Sequence, residues 1–158
     1  MIRDATPCDI PLILSVWNPV IRHTAITFNS VEKTEGDIAA LLDAKAQAGH
    51  PVLVHDGGGF ATFGQFRAGS GYARTMEHTI ILAPQARGRG LGRALMSAVE
   101  DRARGAGARS LFAGVSSDNP GGVAFHAACG YAAVAVLPQV GFKFGRWFDL
   151  HLMQKMLA

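Results

Sequence analysis

A turn rich in glycine and arginine, between residues 87 and 93, carries the clearest chemical signal in this chain. It follows the apolar run 79–83 and opens a segment with helical periodicity, 91–104, so it lies between a strand and a helix. Glycines let a ligand approach the backbone, and the free N–H groups and dipole of a first helical turn attract an anion. We therefore expect a phosphate-bearing ligand at Arg87, Gly88, Arg89, Gly90, Leu91, Gly92 and Arg93.

The spacing of these glycines excludes two common phosphate-binding motifs. A P-loop needs a lysine and then serine or threonine after its last glycine, and a dinucleotide fingerprint needs Gly-x-Gly-x-x-Gly near the first strand. The pattern present is Arg-x-x-Gly-x-Gly, which begins at Arg87. It resembles the coenzyme A pyrophosphate loop of the GNAT superfamily of N-acetyltransferases, and an ordinary glycine-rich helix entry is the alternative.

Composition and charge predict one globular domain over residues 1–158. Of the 158 residues, 49% are hydrophobic and 17% are charged, which is enough for a sizeable core. No apolar run is long enough to span a bilayer and the N-terminus lacks a signal-peptide layout, so we expect a cytoplasmic protein without a membrane partner. The net charge of +3 and the absence of interleaved aromatics favour a small anionic cofactor over nucleic acid.

The cysteines and histidines predict neither a disulfide nor a metal site. Cys8 and Cys129 are far apart in the sequence, so we expect reduced thiols that pack as small buried hydrophobes. The six histidines do not have the spacing of a ligand set. We therefore expect no metal requirement.

Periodicity and turn residues predict an α/β fold with a mixed sheet. The predicted order is a strand, two helices, three strands, a helix, a strand, a helix and two strands. The first helix is expected to be interrupted at Asn18-Pro19, because proline lacks a backbone N–H, and the second to end at Gly49. On the helix over 91–104, the pattern places Glu100 on the outer face. Strands are predicted at 2–5, 51–55, 60–67, 72–83, 110–115, 131–137 and 147–156, and the last helix at 121–129.

Three further segments extend the resemblance over nearly the whole chain. They are Tyr-Ala-Arg-Thr-Met-Glu-His-Thr at 72–79, Phe-His-Ala-Ala-Cys-Gly-Tyr at 125–131 after Asn119, and Gly-Phe-Lys-Phe-Gly-Arg-Trp-Phe-Asp at 141–149. Together they resemble the phosphinothricin and methionine sulfoximine acetyltransferase branch of that superfamily. The resemblance implies a mostly antiparallel sheet with helices on both faces, and a homodimer. It also implies acetyl transfer from acetyl-CoA to the primary amine of a small amino-acid-like acceptor.

Glu77 is the candidate general base. An acceptor amine with a pKa of about 8 is protonated at neutral pH and must lose a proton before it attacks a thioester. Burial in an apolar strand would raise the pKa of a carboxylate toward the working pH, and the resemblance implies that this glutamate acts through a water molecule. A structural ion pair with Arg67 or Arg74 is the alternative role.

His126 and Tyr131 are the candidate acids for the departing thiolate. The resemblance implies an acid at position 126, and an imidazole with a pKa near 6.5 can donate to a thiolate whose thiol pKa is about 8.5. The branch pattern continues with glutamate where this chain has Ala127, so position 127 supplies no carboxylate to orient the imidazole.

Backbone and amide groups are expected to hold the cofactor arm. The resemblance implies that the strand at Ile80, Ile81 and Leu82 pairs with pantetheine where a neighbouring strand splays away. The N–H groups of Ile81 and Leu82 are candidate donors to the oxyanion. Asn119 is expected to contact pantetheine, to cap the following helix, or both.

Acceptor recognition would need a cation and apolar walls. Arg67, Arg74 and Lys143 are the candidates to bind the acceptor carboxylate. Phe28, Trp17 and Trp147 are candidates to line the pocket, with core packing as the alternative. The sequence is also compatible with two other functions. One is acetylation of another amine class, such as a protein N-terminus, a polyamine or an aminoglycoside, and the other is non-catalytic sensing of acetyl-CoA.

Overall fold

The computed structural model describes residues 1–157, and its elements follow the predicted order. A seven-stranded sheet has the strand order β1-β2-β3-β4-β5-β7-β6. The strands are β1 Ile2–Asp4, β2 Val52–His55, β3 Gly59–Gln65, β4 Thr75–Leu82, β5 Ser110–Ser116, β6 Ala132–Lys143 and β7 Arg146–Met156. The helices are α1 Ile10–His23, α2 Glu35–Ala48, α3 Leu91–Gly105 and α4 Pro120–Ala128. None of the helices in residues 1–157 has the length and hydropathy of a membrane span.

The sheet is mixed and mostly antiparallel, as predicted. Every neighbouring pair of strands is antiparallel except β4 and β5, which run parallel. Their pairing covers only three positions and stops at Glu77 opposite Phe112, whereas both strands continue further. Beyond this point β4 and β5 diverge, and a gap opens within the sheet.

Helices cover both faces of the sheet because its side chains alternate between two apolar clusters. On one face, α1 and α2 pack against Val52, Val54 and Phe60. On the other face, α3 packs against Phe63 and neighbouring core residues. The gap between β4 and β5 can therefore be reached by side chains from either face.

Helix α1 continues through Pro19 to His23, so the predicted interruption at Asn18-Pro19 is wrong. Pro19 removes one backbone hydrogen bond. Val16, Val20 and Ile21 are buried on the same helix, and their burial on both sides of the proline offsets that loss.

The structure also corrects the placement of Glu100 and of the two cysteines. Glu100 is 5% exposed, and its carboxylate accepts from Lys155 Nζ at 2.6 Å, so a partner on β7 allows its burial. Lys155 Nζ also donates to the carbonyl of Cys129. Cys8 is exposed and Cys129 is only half-buried, because the first lies in the turn before α1 and the second at the end of α4.

The change Lys155→Met should destabilise the protein by about 3 kcal/mol, because it leaves a buried carboxylate without its cation. Urea denaturation measures the loss. Asp101→Asn is the matched control on the same helix, since it breaks an exposed pair with Arg104 and should cost less than about 1 kcal/mol. Equal losses in the two variants would contradict this account.

Candidate active site

Two adjoining cavities meet at the gap between β4 and β5. The first has a volume of about 300 Å³ and the second a volume of about 450 Å³. Both are partly open to solvent. The residues that line both cavities, and so form their junction, are Ile26, Ile80, Ile81, Asn119 and His126.

The arginine-glycine turn lines the second cavity and leads into α3. Gly88 and Gly90 have φ of 71° and 82°, a conformation that disfavours side chains, and Gly90 is the N-cap of α3. A Cβ on Gly92 would lie 3.0 Å from Leu82, so glycine keeps this wall open. Of the predicted turn residues, Arg87, Gly88, Gly90, Gly92 and Arg93 line the cavity.

Two turn residues lie outside the cavity lining. Arg89 is exposed, and Leu91 packs with the apolar cluster under α1. The lining residues still combine the N-terminus of a long helix with two arginines, which is the arrangement that binds a diphosphate.

The register of β4 decides which backbone groups face the gap. Ala83 N donates to Gly58 O, and Phe66 N donates to Thr75 O, so the odd-numbered residues of β4 pair with β3. The even-numbered residues direct their N–H groups toward β5, which has already diverged. The N–H of Leu82 therefore faces the gap. The expectation that Ile81 donates to an oxyanion is corrected, because its N–H lies on the β3 side.

Glu77 lies where the parallel pairing ends, and its carboxyl faces the first cavity. Burial raises the pKa of this carboxyl above its ordinary value. A Cβ on Gly114 would lie 2.9 Å from Glu77 Oε2, so the bare β5 backbone makes room for the carboxylate. Within residues 1–157, Glu77 forms no salt bridge, and Arg67 and Arg74 are both exposed.

Asn119 and His126 join the two cavities from α4. Asn119 caps the helix, and its side-chain oxygen accepts from Gly122 N at 3.0 Å. A Cβ on Gly122 would collide with the Asn119 amide, so this glycine is required for the cap. His126 is buried, and its Nδ1 lies 2.7 Å from the carbonyl of Gly122.

The two candidate acids are placed differently. His126 lines both cavities, whereas Tyr131 lines neither of them. The Tyr131 phenol is buried without a hydrogen-bond partner in the described chain, and burial raises its pKa well above the ordinary value. Geometry therefore favours His126 over Tyr131 as a group that reaches a ligand.

Phe28 and Trp17 line the first cavity, as predicted for acceptor walls. The Phe28 ring stacks on Phe148 with centroids 5.9 Å apart and lies over Gly141, where any Cβ would collide with it. Trp17 packs against Phe60.

The structure does not bring the predicted cations or Trp147 to this cavity. Lys143 is buried, and its Nζ donates to the carbonyls of Thr24 and Thr27 at 2.6 and 2.9 Å, so it fixes the segment that carries Phe28. This corrects the expectation that Lys143 binds the acceptor carboxylate. Trp147 is 58% exposed and packs on Phe142 outside both cavities. No Arg or Lys among the described residues lines the first cavity.

Sequence reasoning missed His78, which lines the first cavity and contacts His126. A strand alternates its side chains, so a glutamate facing one side predicts that its neighbour faces the other. That alternation was readable from the sequence. What it could not show is that α4 places His126 against the second side.

Comparisons with known proteins agree with this geometry. The acetyltransferase (GNAT) family model matches residues 17–131. The chain is 37% identical to the L-amino acid N-acyltransferase MnaT of Escherichia coli over 99% of this chain and 93% of that protein. It is also 37% identical to the L-methionine sulfoximine/L-methionine sulfone acetyltransferase of Salmonella typhimurium, over 99% and 94%.

A solved structure extends the agreement to the fold. The phosphinothricin acetyltransferase of Sinorhizobium meliloti, in complex with acetyl-CoA, superposes with a TM-score of 0.93 at 29% identity and covers 100% of this chain and 88% of its own. The sheet and its gap thus define a CoA-dependent acyltransferase. The chain belongs to the acetyltransferase (GNAT) family and is an acetyl-CoA-dependent N-acetyltransferase.

The buried His78 makes stability depend on pH. Burial, and then the neighbouring His126, lower its pKa from 6.5 to about 3. Below pH 6.5 the unfolded chain binds a proton at His78 that the folded chain does not, so the contribution of His78 to stability should fall by about 1.4 kcal/mol per pH unit, and it should not change above pH 6.5. Urea denaturation at pH 7.5, 6 and 5 measures this slope. The variant His78→Gln lacks this titrating group, so its slope should be smaller by about 1.4 kcal/mol per pH unit. An unchanged slope in that variant would contradict the assignment.

Proposed function

We propose that this enzyme transfers the acetyl group of acetyl-CoA directly to the amine of a small amino-acid-like acceptor, with both substrates bound at once. One observation carries the proposal. The second cavity has the features of a diphosphate site, the first contains a carboxylate of raised pKa, and the two meet at the β4–β5 gap. A thioester carbonyl at that junction would lie between the cofactor turn and the base.

The residues of the gap have separate roles in the proposed reaction. Pantetheine pairs with the free edge of β4 at Ile80 and Leu82, where β5 has diverged. The Leu82 N–H donates to the oxyanion that forms when the amine attacks the thioester. Glu77 removes the amine proton through a water molecule. His126, on the cofactor side, is the group that returns a proton to the sulfur.

The size and lining of the first cavity support a small acceptor. Its volume of about 300 Å³ is at the lower end of ligand sites. Trp17, Phe28 and Leu150 form apolar walls, and Thr27, Asn29 and Ser116 supply polar groups. The names of the relatives point to methionine sulfoximine, methionine sulfone and phosphinothricin as acceptors. We propose the cytoplasm, where acetyl-CoA is available, as the location.

A thiol-release assay tests the acceptor class. Methionine sulfone, methionine sulfoximine and phosphinothricin should be acetylated, whereas a peptide N-terminus, spermidine and kanamycin should not. Turnover only on the second group would assign another amine class. Binding of acetyl-CoA without turnover on any amine would assign a sensor and overturn the proposal.

A homodimer is part of the proposal, and the edge strand β6 supports it. Residues 132–140 of β6 are exposed on both faces, and Val134, Val136 and Val140 are each about half exposed. An exposed apolar edge of this length is prone to pairing with another chain. The first cavity also has no Arg or Lys among the described residues, so in the proposed dimer the cation for the acceptor carboxylate would come from the partner subunit. Sedimentation equilibrium should give twice the chain mass of 16.7 kDa, and a monomer at micromolar concentration would contradict the dimer.

Gly90→Val should weaken acetyl-CoA binding about 10-fold or more, because a β-branched residue at φ of 82° distorts the turn that grips the diphosphate. Isothermal titration calorimetry measures the affinity. Gly145→Val is the matched control. Its φ is 74°, a Cβ there also meets open space, and it lies in the β6–β7 turn away from the cofactor cavity. Equal affinity in the two variants would count against the cofactor assignment.

Glu77→Gln should lower kcat/KM for the acceptor about 100-fold at pH 7, because the isosteric amide cannot accept the amine proton. The defect should shrink toward pH 9.5, where the free amine is abundant. A pH-rate profile measures both. Glu32→Gln, on an exposed glutamate paired with Arg22, is the control and should match the unmodified enzyme. A defect of the same size at every pH would indicate a structural role for Glu77.

A further inference from the structure

Two buried imidazoles form a direct contact that the proposed mechanism does not use. His78 on β4 and His126 on α4 are 7% and 6% exposed, and their Nε2 atoms lie 2.9 Å apart. The rings are tilted by 33° with centroids 5.1 Å apart. At this distance one nitrogen carries a proton and the other accepts it.

The carbonyl of Gly122 determines where the protons are. A carbonyl oxygen only accepts, so His126 Nδ1, at 2.7 Å from it, carries a proton. In the neutral pair, His126 Nε2 is therefore the acceptor and His78 Nε2 the donor. His78 Nδ1 is then bare, and it is buried without a hydrogen-bond partner among the described residues. The neutral pair thus leaves one basic nitrogen unused.

One added proton gives every contact of the pair a donor and an acceptor. It protonates His78 Nδ1, and the proton between the rings can then reside on either Nε2. The Phe112 carbonyl on β5 acts in this direction and raises the pKa of His78, although burial lowers it more. A second added proton would place two cations within one hydrogen bond. The pair therefore holds one extra proton at most.

The surroundings add no other charge to the pair. The Gly122 carbonyl faces it from α4, the Phe112 carbonyl from β5, and the uncharged Tyr131 phenol from the turn after α4. Glu77, next to His78 in sequence, directs its side chain to the opposite face of β4. Within residues 1–157, the only charge that affects the pKa of either imidazole is that of His126 on His78, and no carboxylate, Lys or Arg contributes.

The pair also connects the two cavities. His78 lines only the first cavity, whereas His126 lines both cavities. We propose that His78 is a positioning residue through which His126 acts, and that the two imidazoles bind and release a single proton as one unit. This inference rests on the proposed acetyl transfer. It also supplies the orienting partner that Ala127 cannot provide.

Every proton in the acetyl-transfer step is accounted for. The acceptor nitrogen loses two protons. Glu77 removes the first through a water molecule before attack and passes it to solvent, and the pair gains the second from the positively charged nitrogen of the tetrahedral intermediate. When the C–S bond of the tetrahedral intermediate breaks, its electron pair moves to sulfur and the carbonyl re-forms. The proton between the rings passes from His126 Nε2 to the thiolate, which makes the pair neutral. Tautomerisation of His78 from Nδ1–H to Nε2–H then restores the starting state. No other reactant is required.

Variants at position 78 separate this role from simple packing. His78→Phe keeps a ring but removes both nitrogens, and kcat should fall about 100-fold with the KM for acetyl-CoA unchanged. His78→Gln can still donate to His126 Nε2 but cannot carry the proton. It should keep the Tm within a few degrees while kcat remains at least 10-fold low. His50→Gln, a half-buried histidine that packs on Phe63 away from both cavities, is the control and should retain full kcat.

Full kcat in His78→Gln would overturn the proposal, because packing and orientation alone would then suffice. Full kcat in His78→Phe would overturn it as well. If His78→Phe fails to fold, which its Tm reveals, the result with His78→Gln decides.

Imidazole ¹⁵N NMR of the unmodified protein tests the pair without any turnover. At pH 7, His126 should be the Nδ1–H tautomer and His78 the Nε2–H tautomer, and the His126 Nε2 resonance should shift in His78→Phe or His78→Gln. The opposite tautomers, or an unchanged resonance, would overturn the pairing. If no amine is acetylated, the proposed function fails while the NMR result still judges the pair, so the two failures are distinguishable.

Discussion

The parallel pairing of β4 with β5 ends at Glu77 and Phe112, and the placement of the site depends on that end point. Backbone N–H groups in a continuous sheet are consumed by neighbouring strands. Here the even-numbered residues of β4 after Glu77 lose their neighbour, so their polar groups face a gap. A gap of this kind can accept an extended ligand arm as a substitute strand.

The same divergence explains why two adjacent residues of one strand can serve opposite sides of the site. Glu77 and His78 point to opposite faces of β4 because strand side chains alternate. In a closed sheet they would lie in separate cores. Because β5 has moved away, the Glu77 carboxyl faces the first cavity from one side, and His78 meets His126 from the other. Burial then acts on both groups in the direction that favours the neutral form, which raises the pKa of Glu77 and lowers that of His78.

The acceptor side is supported from a distance by the β6–β7 hairpin. The Lys143 ammonium holds the carbonyls of Thr24 and Thr27, and Gly141 leaves the space that the Phe28 ring fills. The segment after α1 has little regular structure of its own. Its position is therefore set by residues more than a hundred positions later in the chain. This supporting role explains why Lys143, a candidate for the acceptor carboxylate in the sequence, is buried.

Local patterns in the sequence were sufficient to predict the order of helices and strands and the arginine-glycine turn, and to select Glu77 as a candidate base. Each of these depends on near neighbours, namely hydrophobic periodicity, glycine at positive φ, and a carboxylate within an apolar strand. Long-range packing decided the rest. Burial of Val16, Val20 and Ile21 carries α1 through Pro19, Lys155 makes a buried Glu100 tolerable, and the meeting of α4 with β4 brings His126 to His78. Contacts between distant segments leave no periodic trace in either segment, so only the tertiary structure could reveal them.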